Sequence, residues 1–381
     1  MKKLYWRPQK ISLKLLWLIA LVALAGFILT ERYSFSEKQP YYEEKIKAAK
    51  LAEKAFDLVK AERIKRGYPI DIESDPLQSG LIGELLTPVT TNPGHLPAKQ
   101  TSINPNFAAV IVHMLKRAGV EEGMTVAIGL SGSFPALNIC TLAAVKTLGL
   151  RPIIITSVGS SQWGANLPNF MWLDMESYLY EQRVFPYKSV AVSRGGIDDR
   201  ALGLPRESRK MLDDVIARSG VSMIQFSNYD ESVELRMSIY REYSEGKDIM
   251  AYINVGGGTT SVGGKVGKVM FKPGLNRTMP KGSADINSVM TRFAIEDVPV
   301  IHLTKIDVLA ERYGLPLIPL RMPIVGEGSI FVKESKSMPM VAGLLVLIFI
   351  LLIAIVRLDW GYRMISSSKR DKPSMKPERM V

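Results

Sequence analysis

Cysteine is nearly absent from this chain. Cys140 is the only one in 381 residues, so no intramolecular disulfide can form. Its apolar neighbours mark it as a small buried hydrophobe rather than a reactive thiol. Histidine is scarce as well, at His95, His113 and His302. No two of them stand at metal-ligand spacing, so no metal is expected. His113 falls in an apolar helical stretch and His302 in a strand, which suits two core residues. His95, in a Pro-rich loop, is the better candidate for a site. Nucleotide and nucleophile signatures are missing too. The serine of GLSGS at 129–133 is one position off the G-x-S-x-G elbow. In GGGTTSVGGK the phosphate-loop frame ending at Lys265 puts Thr259 at the first Gly and Val266 at the Ser/Thr. A G-x-G-x-x-G dinucleotide fingerprint has no support, and no cofactor is expected. The chain also lacks internal repeats and low-complexity segments.

Long apolar runs are present, and there are two. Residues 11–30 contain LLWLIALVALAGFILT, and residues 339–356 read PMVAGLLVLIFILLIAIV without a charge. Either can cross a bilayer, which needs about 20 residues. Lys2, Lys3, Arg7, Lys10 and Lys14 precede or open the first run. Arg357, Arg363, Lys369, Arg370, Lys372, Lys376 and Arg379 come after the second. Basic flanks favour the cytoplasmic side. The expected layout is a basic cytoplasmic tail (1–10), a transmembrane helix (11–30), an extracytoplasmic part, a second transmembrane helix (339–356) and a basic cytoplasmic tail (357–381). Ala23-Leu24-Ala25 offers a signal-peptide cleavage site, but Phe27-Ile28-Leu29 continue the apolar run past it, so an uncleaved anchor is expected. The first 30 residues carry +5 and the last 43 carry +4, leaving +3 of the chain's +12 for the rest. The high pI thus belongs to the membrane flanks, and it is no argument for a nucleic-acid partner.

The chain as a whole is 47% hydrophobic, ample for a core. Residues 31–70, rich in Lys, Glu and Ala, read as a helical stalk. Residues 71–338 read as an α/β domain. Its centre is Met124–Gly164: strand Thr125–Leu130, break at Ser131-Gly132-Ser133, Pro135 at a helix start, Gly149 at its stop, then strand Pro152–Ser157. That is a βαβ unit, which implies a parallel sheet covered on both faces. Alternation continues: helix Met171–Gln182, strand Ser189–Ser193, helix Pro205–Ser219, strand Val221–Phe226, helix Asp230–Ser244, strand Ile249–Val255, helix Asp285–Ala294, strand Val298–Leu303 and helix Lys305–Tyr313. The expected fold class is α/β, doubly wound, with a mostly parallel sheet flanked by two transmembrane helices.

The loops after the strands carry the recurring signal. They hold Ser131-Gly132-Ser133, then Gly159 to Gly164 with Ser160, Ser161 and Trp163, then Asp198-Asp199-Arg200, then Gly256-Gly257-Gly258-Thr259-Thr260. In an open parallel sheet such loops share the carboxyl edge, where these folds bind ligands. Glycine lets backbone N–H groups approach an anion, and hydroxyls add donors. Asp198 and Asp199 offer a cation ligand or a base, with a solvated turn as the plainer alternative.

The run GELLTPVTTNPGHLPAKQTSINPNFAAV at 83–110, with GLSGSFPALN, TSVGSSQWGAN and INVGGGTTSVG, resembles the bacterial poly-gamma-glutamate system protein family over nearly the whole chain. The resemblance implies a membrane accessory component for synthesis or export of an anionic capsule polymer. It also implies an amide ligase and small membrane subunits as partners. It transfers no catalytic residue. An extracytoplasmic hydrolase or transferase acting on that polymer is the other reading.

Overall fold

A computed structural model describes residues 13–32 and 34–357, without side-chain detail at 13–15, 34, 35, 336 and 355–357. The expected cytoplasmic tails lie outside the described residues, except Arg357. Two compact units result: residues 1–37 with 333–381, and residues 38–332.

In the first unit both apolar runs form helices, Leu13–Arg32 and Met338–Arg357, each 20 residues long. They pack together, and Gly26 is where Leu344 closes in, so any larger side chain there would collide with it. Strands Ser34–Lys38 and Val332–Lys336 pair as a two-stranded sheet. Among the described residues no helix is long and apolar enough to cross a membrane.

The second unit is built on six strands. They are β1 (Thr125–Ser131), β2 (Arg151–Ser157), β3 (Ala191–Ser193), β4 (Ile249–Val255), β5 (Gly274–Asn276) and β6 (Val300–Leu303). Their order is β5-β6-β4-β1-β2-β3, and only β5 is antiparallel to its neighbour. From β1 the chain winds outward through β2 to β3. It then returns to β4, on the other side of β1. The β1/β4 seam is therefore a topological switch point, where the loops leave in opposite directions and open a crevice.

Alternate residues of these strands feed two cores. Val126, Ile128 and Leu130 face one, with Ile154, Ile253 and Ile301. Ala127, Ile153, Ile155, Tyr252 and Val300 face the other. Burial on both faces explains why the strands read as unbroken apolar runs rather than as alternating ones. Helices Tyr42–Lys65, Phe107–Arg117 and Pro135–Thr147 cover the first face. Helices Tyr229–Tyr243 and Val289–Ile295 cover the second. There Tyr252 stacks on Phe293 at 4.9 Å between ring centroids, and Tyr240 meets both edge-on.

Three expectations are revised, and one strand was not expected. The Tyr42–Lys65 helix is no separate stalk: it buries Ala48, Ala49, Ala52, Ala55, Phe56 and Val59, so the α/β unit begins at Lys38 and not at 71. Residues 221–226 form no strand. Their only ladder contact is Met223 bridging Val192, because β3 is three residues long and the chain must reach the helix cap at Asn228. The helix expected from Asp285 starts at Val289, where the Ser288 hydroxyl accepts from the Thr291 N–H at 3.1 Å. Edge strand β5 carried no apolar run that could announce it.

Candidate functional site

The four glycine- and serine-rich loops meet at the carboxyl edge, held there by backbone bonds. Gly132 N–H donates to Ser157 O at 3.1 Å. The Ser160 hydroxyl donates to Gly132 O at 3.0 Å. A Cβ on Gly132 would stand 2.6 Å from the Val158 carbonyl, so only glycine fits. Gly159 N–H donates to Arg194 O at 2.8 Å, and the Thr259 hydroxyl reaches Gly196 O at 3.4 Å. Gly256, at φ 88°, lies against Ser131 and Phe134. Beneath the loops a cavity of about 10 Å³ is lined by Ser131, Ser157, Arg236, Tyr252, Asn254 and Ser261. That is room for about one water. A larger concavity of about 380 Å³, with Arg66, Asp174 and Arg218 on its wall, holds none of these loops, and its Arg218 is already paired with Asp174 at 2.6 Å.

The Pro-rich segment from Gly80 to Asn106 covers these loops and supplies a lysine. It is less irregular than its composition suggested. Strand Thr90–Asn92 pairs with Ser160–Ser161, and Leu96–Ser102 is a helix with Pro97 in its first turn. That helix carries Lys99, which is 3% exposed. Its ammonium donates to Ser133 O and, at 2.9 Å, meets the Ser161 hydroxyl. It also sits 3.9 Å from the Phe134 ring centroid. Burial, reinforced by the Lys268 charge, pulls Lys99 down to about 7. Lys268 itself is exposed, and a Cβ on Gly257 would lie 3.3 Å from its Nζ. Among the described residues neither lysine has a carboxylate partner.

Two polar networks floor the site. In one, Asp199 pairs with Arg236 at 2.8 Å, and both are buried. Ser193 donates to Asp199 at 2.7 Å, and Ser232 reaches it at 3.2 Å. In the other, His302 Nδ1 lies 2.9 Å from Asn254 Nδ2, and Asn254 accepts from Ser261 at 2.5 Å. Among the described residues His302 Nε2 has no hydrogen-bond partner, and burial pulls the ring down to about 4, with the Lys268 charge adding to the shift. A neutral imidazole is the consequence.

The sequence-derived candidates thus divide. Ser131, Gly132, Ser133, Ser160, Ser161, Gly256, Gly257, Gly258, Thr259 and Thr260 come together. Ser160 and Thr260 are buried, while Gly257 is exposed and Ser133, Gly258 and Thr259 are half-exposed. Trp163 is half-exposed at φ 58°, a conformation uncommon for a bulky residue. Bonds from its N–H to Glu84 O and from Gly83 N–H to its carbonyl hold it. Asp199 is no solvated turn residue, since the Arg236 pair consumes it. Asp198 remains exposed. Arg200 points to Ser227 O at 3.0 Å, away from the other loops' donors. His95 is exposed and makes no cap bond to the helix it precedes. His113 is half-buried and packs edge-on against Tyr313.

Lys99, Lys268 and Arg236 escaped sequence reasoning. Lys99 sat in view in the Pro-rich loop, but only the fold shows that its ammonium is buried against Ser161. Among the described residues no group of three His, Cys, Asp or Glu side chains is placed to hold a metal. No family model, no curated protein and no solved structure matches this chain.

Proposed function

We propose that this protein is a membrane-anchored accessory component of poly-gamma-glutamate synthesis or export. Its α/β domain holds the polymer's carboxylates at the carboxyl edge of the sheet, on the extracytoplasmic side. The polymer identity comes from the sequence resemblance. The anion-binding half is supported by one observation above all: Lys99 and Lys268 face the same glycine- and serine-rich loops with no carboxylate partner among the described residues. Lys268, an exposed lysine with no carboxylate partner among the described residues, favours an anion from solution at this switch point. Lys268 and the Gly257–Gly258 backbone make the direct contacts. Charge-assisted bonds of this kind contribute on the order of 1.5–3 kcal/mol each when desolvated. With only +3 on the residues between the apolar runs, long-range steering is small and the local donors must supply specificity. The membrane assignment rests on the two uncharged or nearly uncharged runs and their basic flanks.

Gly257→Val tests the binding half. Gly257 is absent from the positive-φ glycines, and a Cβ there meets only the mobile end of Lys268, so the variant folds. The added branches block the approach of an anion. Calorimetry of the detergent-solubilised protein with gamma-linked glutamate oligomers is expected to show at least about tenfold weaker binding, or 1.4 kcal/mol. Equal binding by both proteins, or none by the wild type, would make these loops ordinary βα turns.

A further inference from the structure

We propose that Ser161 and Lys99 form a nucleophile–base pair, so that the site cleaves or transfers an acyl group as well as binding the chain. The Lys99 Nζ stands 2.9 Å from the Ser161 Oγ, within the reach proton transfer needs. Serine is a weak nucleophile at its own pKa and requires an adjacent base. An ordinary lysine is protonated at neutral pH in all but on the order of one molecule in a thousand, and cannot serve. This one is enclosed by the Leu96–Ser102 helix, Phe134 and the Ser160–Ser161 strand, and among the described residues no carboxylate holds its proton. In the structure Lys99 Nζ donates to both Ser133 O and Ser161 Oγ. Once the amine is neutral it keeps a hydrogen for Ser133 O, and its lone pair can accept the Ser161 proton across the same distance. The base is itself fixed by a third group, as nucleophile–base sites require. Ser161 keeps 9% of its surface, and Ser133, Gln162 and Trp163 beside it are half-exposed, so the hydroxyl lies just beneath the rim.

The step balances without a cofactor. Ser161 Oγ bonds to an amide carbonyl carbon while its proton passes to Lys99 Nζ. The carbon–nitrogen bond then breaks, and Lys99 returns that proton to the leaving amine. Water adds to the acyl-serine with Lys99 again taking a proton. The acid departs and the Ser161 hydroxyl is restored. An incoming amine in place of water gives transfer. The substrate class rests on the polycarboxylate reading above: an amide whose neighbouring units carry carboxylates held by Lys268 and the Gly256–Gly258 loop. A carboxylate on Lys268 leaves Lys99 a base, because burial is the larger cause of its shift and the Lys268 charge the smaller.

The experiment treats the detergent-solubilised full-length protein with a fluorophosphonate ester and maps the adduct by peptide mass. Ser161 is expected to be the phosphonylated residue, with a labelling rate that rises with pH through an apparent pKa near 7. Ser161→Ala abolishes the label. Lys99→Arg keeps the charge but supplies no base, and it slows labelling at least about a hundredfold. Wild-type labelling that is absent, or flat between pH 6 and 9, would overturn the proposal, and neither result depends on a variant folding. A gamma-linked glutamate oligomer incubated alongside separates the two readings. An oligomer that binds but is neither shortened nor transferred, with Ser161 unlabelled, leaves a binding protein and sinks the dyad. Labelled Ser161 with no oligomer binding supports the dyad and removes the polymer.

Discussion

Lys99 is the residue whose protonation the fold changes most usefully. Unfolded, it titrates at its ordinary value of 10.5; folded, at about 7. Below pH 7 both states hold the proton, and the folded state bears the full penalty of a buried charge. Between 7 and 10.5 the unfolded chain holds more protons, so stability rises with pH. Relative to Lys99→Met, wild type is expected to gain about 2 kcal/mol between pH 7 and 9, read from urea midpoints at each pH. Lys45, buried and held near 8, contributes equally to both proteins and cancels. Parallel lines for the two proteins would show that Lys99 titrates normally. The Asp199–Arg236 pair behaves differently, because each charge compensates the other. Asp199→Asn leaves Arg236 buried and uncompensated and is expected to cost about 3–5 kcal/mol by denaturant unfolding. A cost below about 1 kcal/mol would mean that water reaches the guanidinium.

Among the elements, β1 sets the geometry of everything else. It pairs with β2 on one side and β4 on the other and supplies side chains to both cores. Gly129 lies in it because the Tyr252 hydroxyl occupies the space a Cβ would need. Tyr252 is fixed in turn by a 2.5 Å bond to Ser261, whose hydroxyl donates to Asn254 below the candidate site. Gly129→Ala is thus expected to destabilise by about 1–3 kcal/mol, the usual range for overpacking. Gly129→Ala combined with Tyr252→Phe, which removes the clashing oxygen, should recover most of that loss. Thermal melts of the two variants check this, and an unrescued double variant would place the strain elsewhere.

At the scale of the molecule, the proposed membrane topology can be tested directly. Reporter fusions after Lys10 and Lys372 are expected on the cytoplasmic side, and one in the turn at Ser219 on the opposite side. Ser219 ends a helix just before Gly220 at φ 71°, a turn able to accept an insert. A cytoplasmic signal from the Ser219 fusion would reverse the placement of the α/β domain. It would also put the proposed site on the wrong side for a polymer leaving the cell.

The sequence by itself determined the βα alternation, the strands β1, β2, β3, β4 and β6, and the convergence of four small-residue loops. Strand and helix periods are local, and parallel strands with buried crossovers must place those loops on one edge. It could not determine β5 or the end of pairing at Met223. Three-residue edge strands owe their existence to a neighbour, not to their own composition. Nor could it determine that Asp199 is consumed by Arg236, which lies 37 positions away, or that the 42–65 helix packs as core. The pairing of Lys99 with Ser161 was equally invisible, at a separation of 62 residues. A lysine in a polar, Pro-rich loop reads as solvated. Only tertiary packing, by closing that loop over the Ser160–Ser161 strand, takes the amine out of water and leaves it facing a hydroxyl.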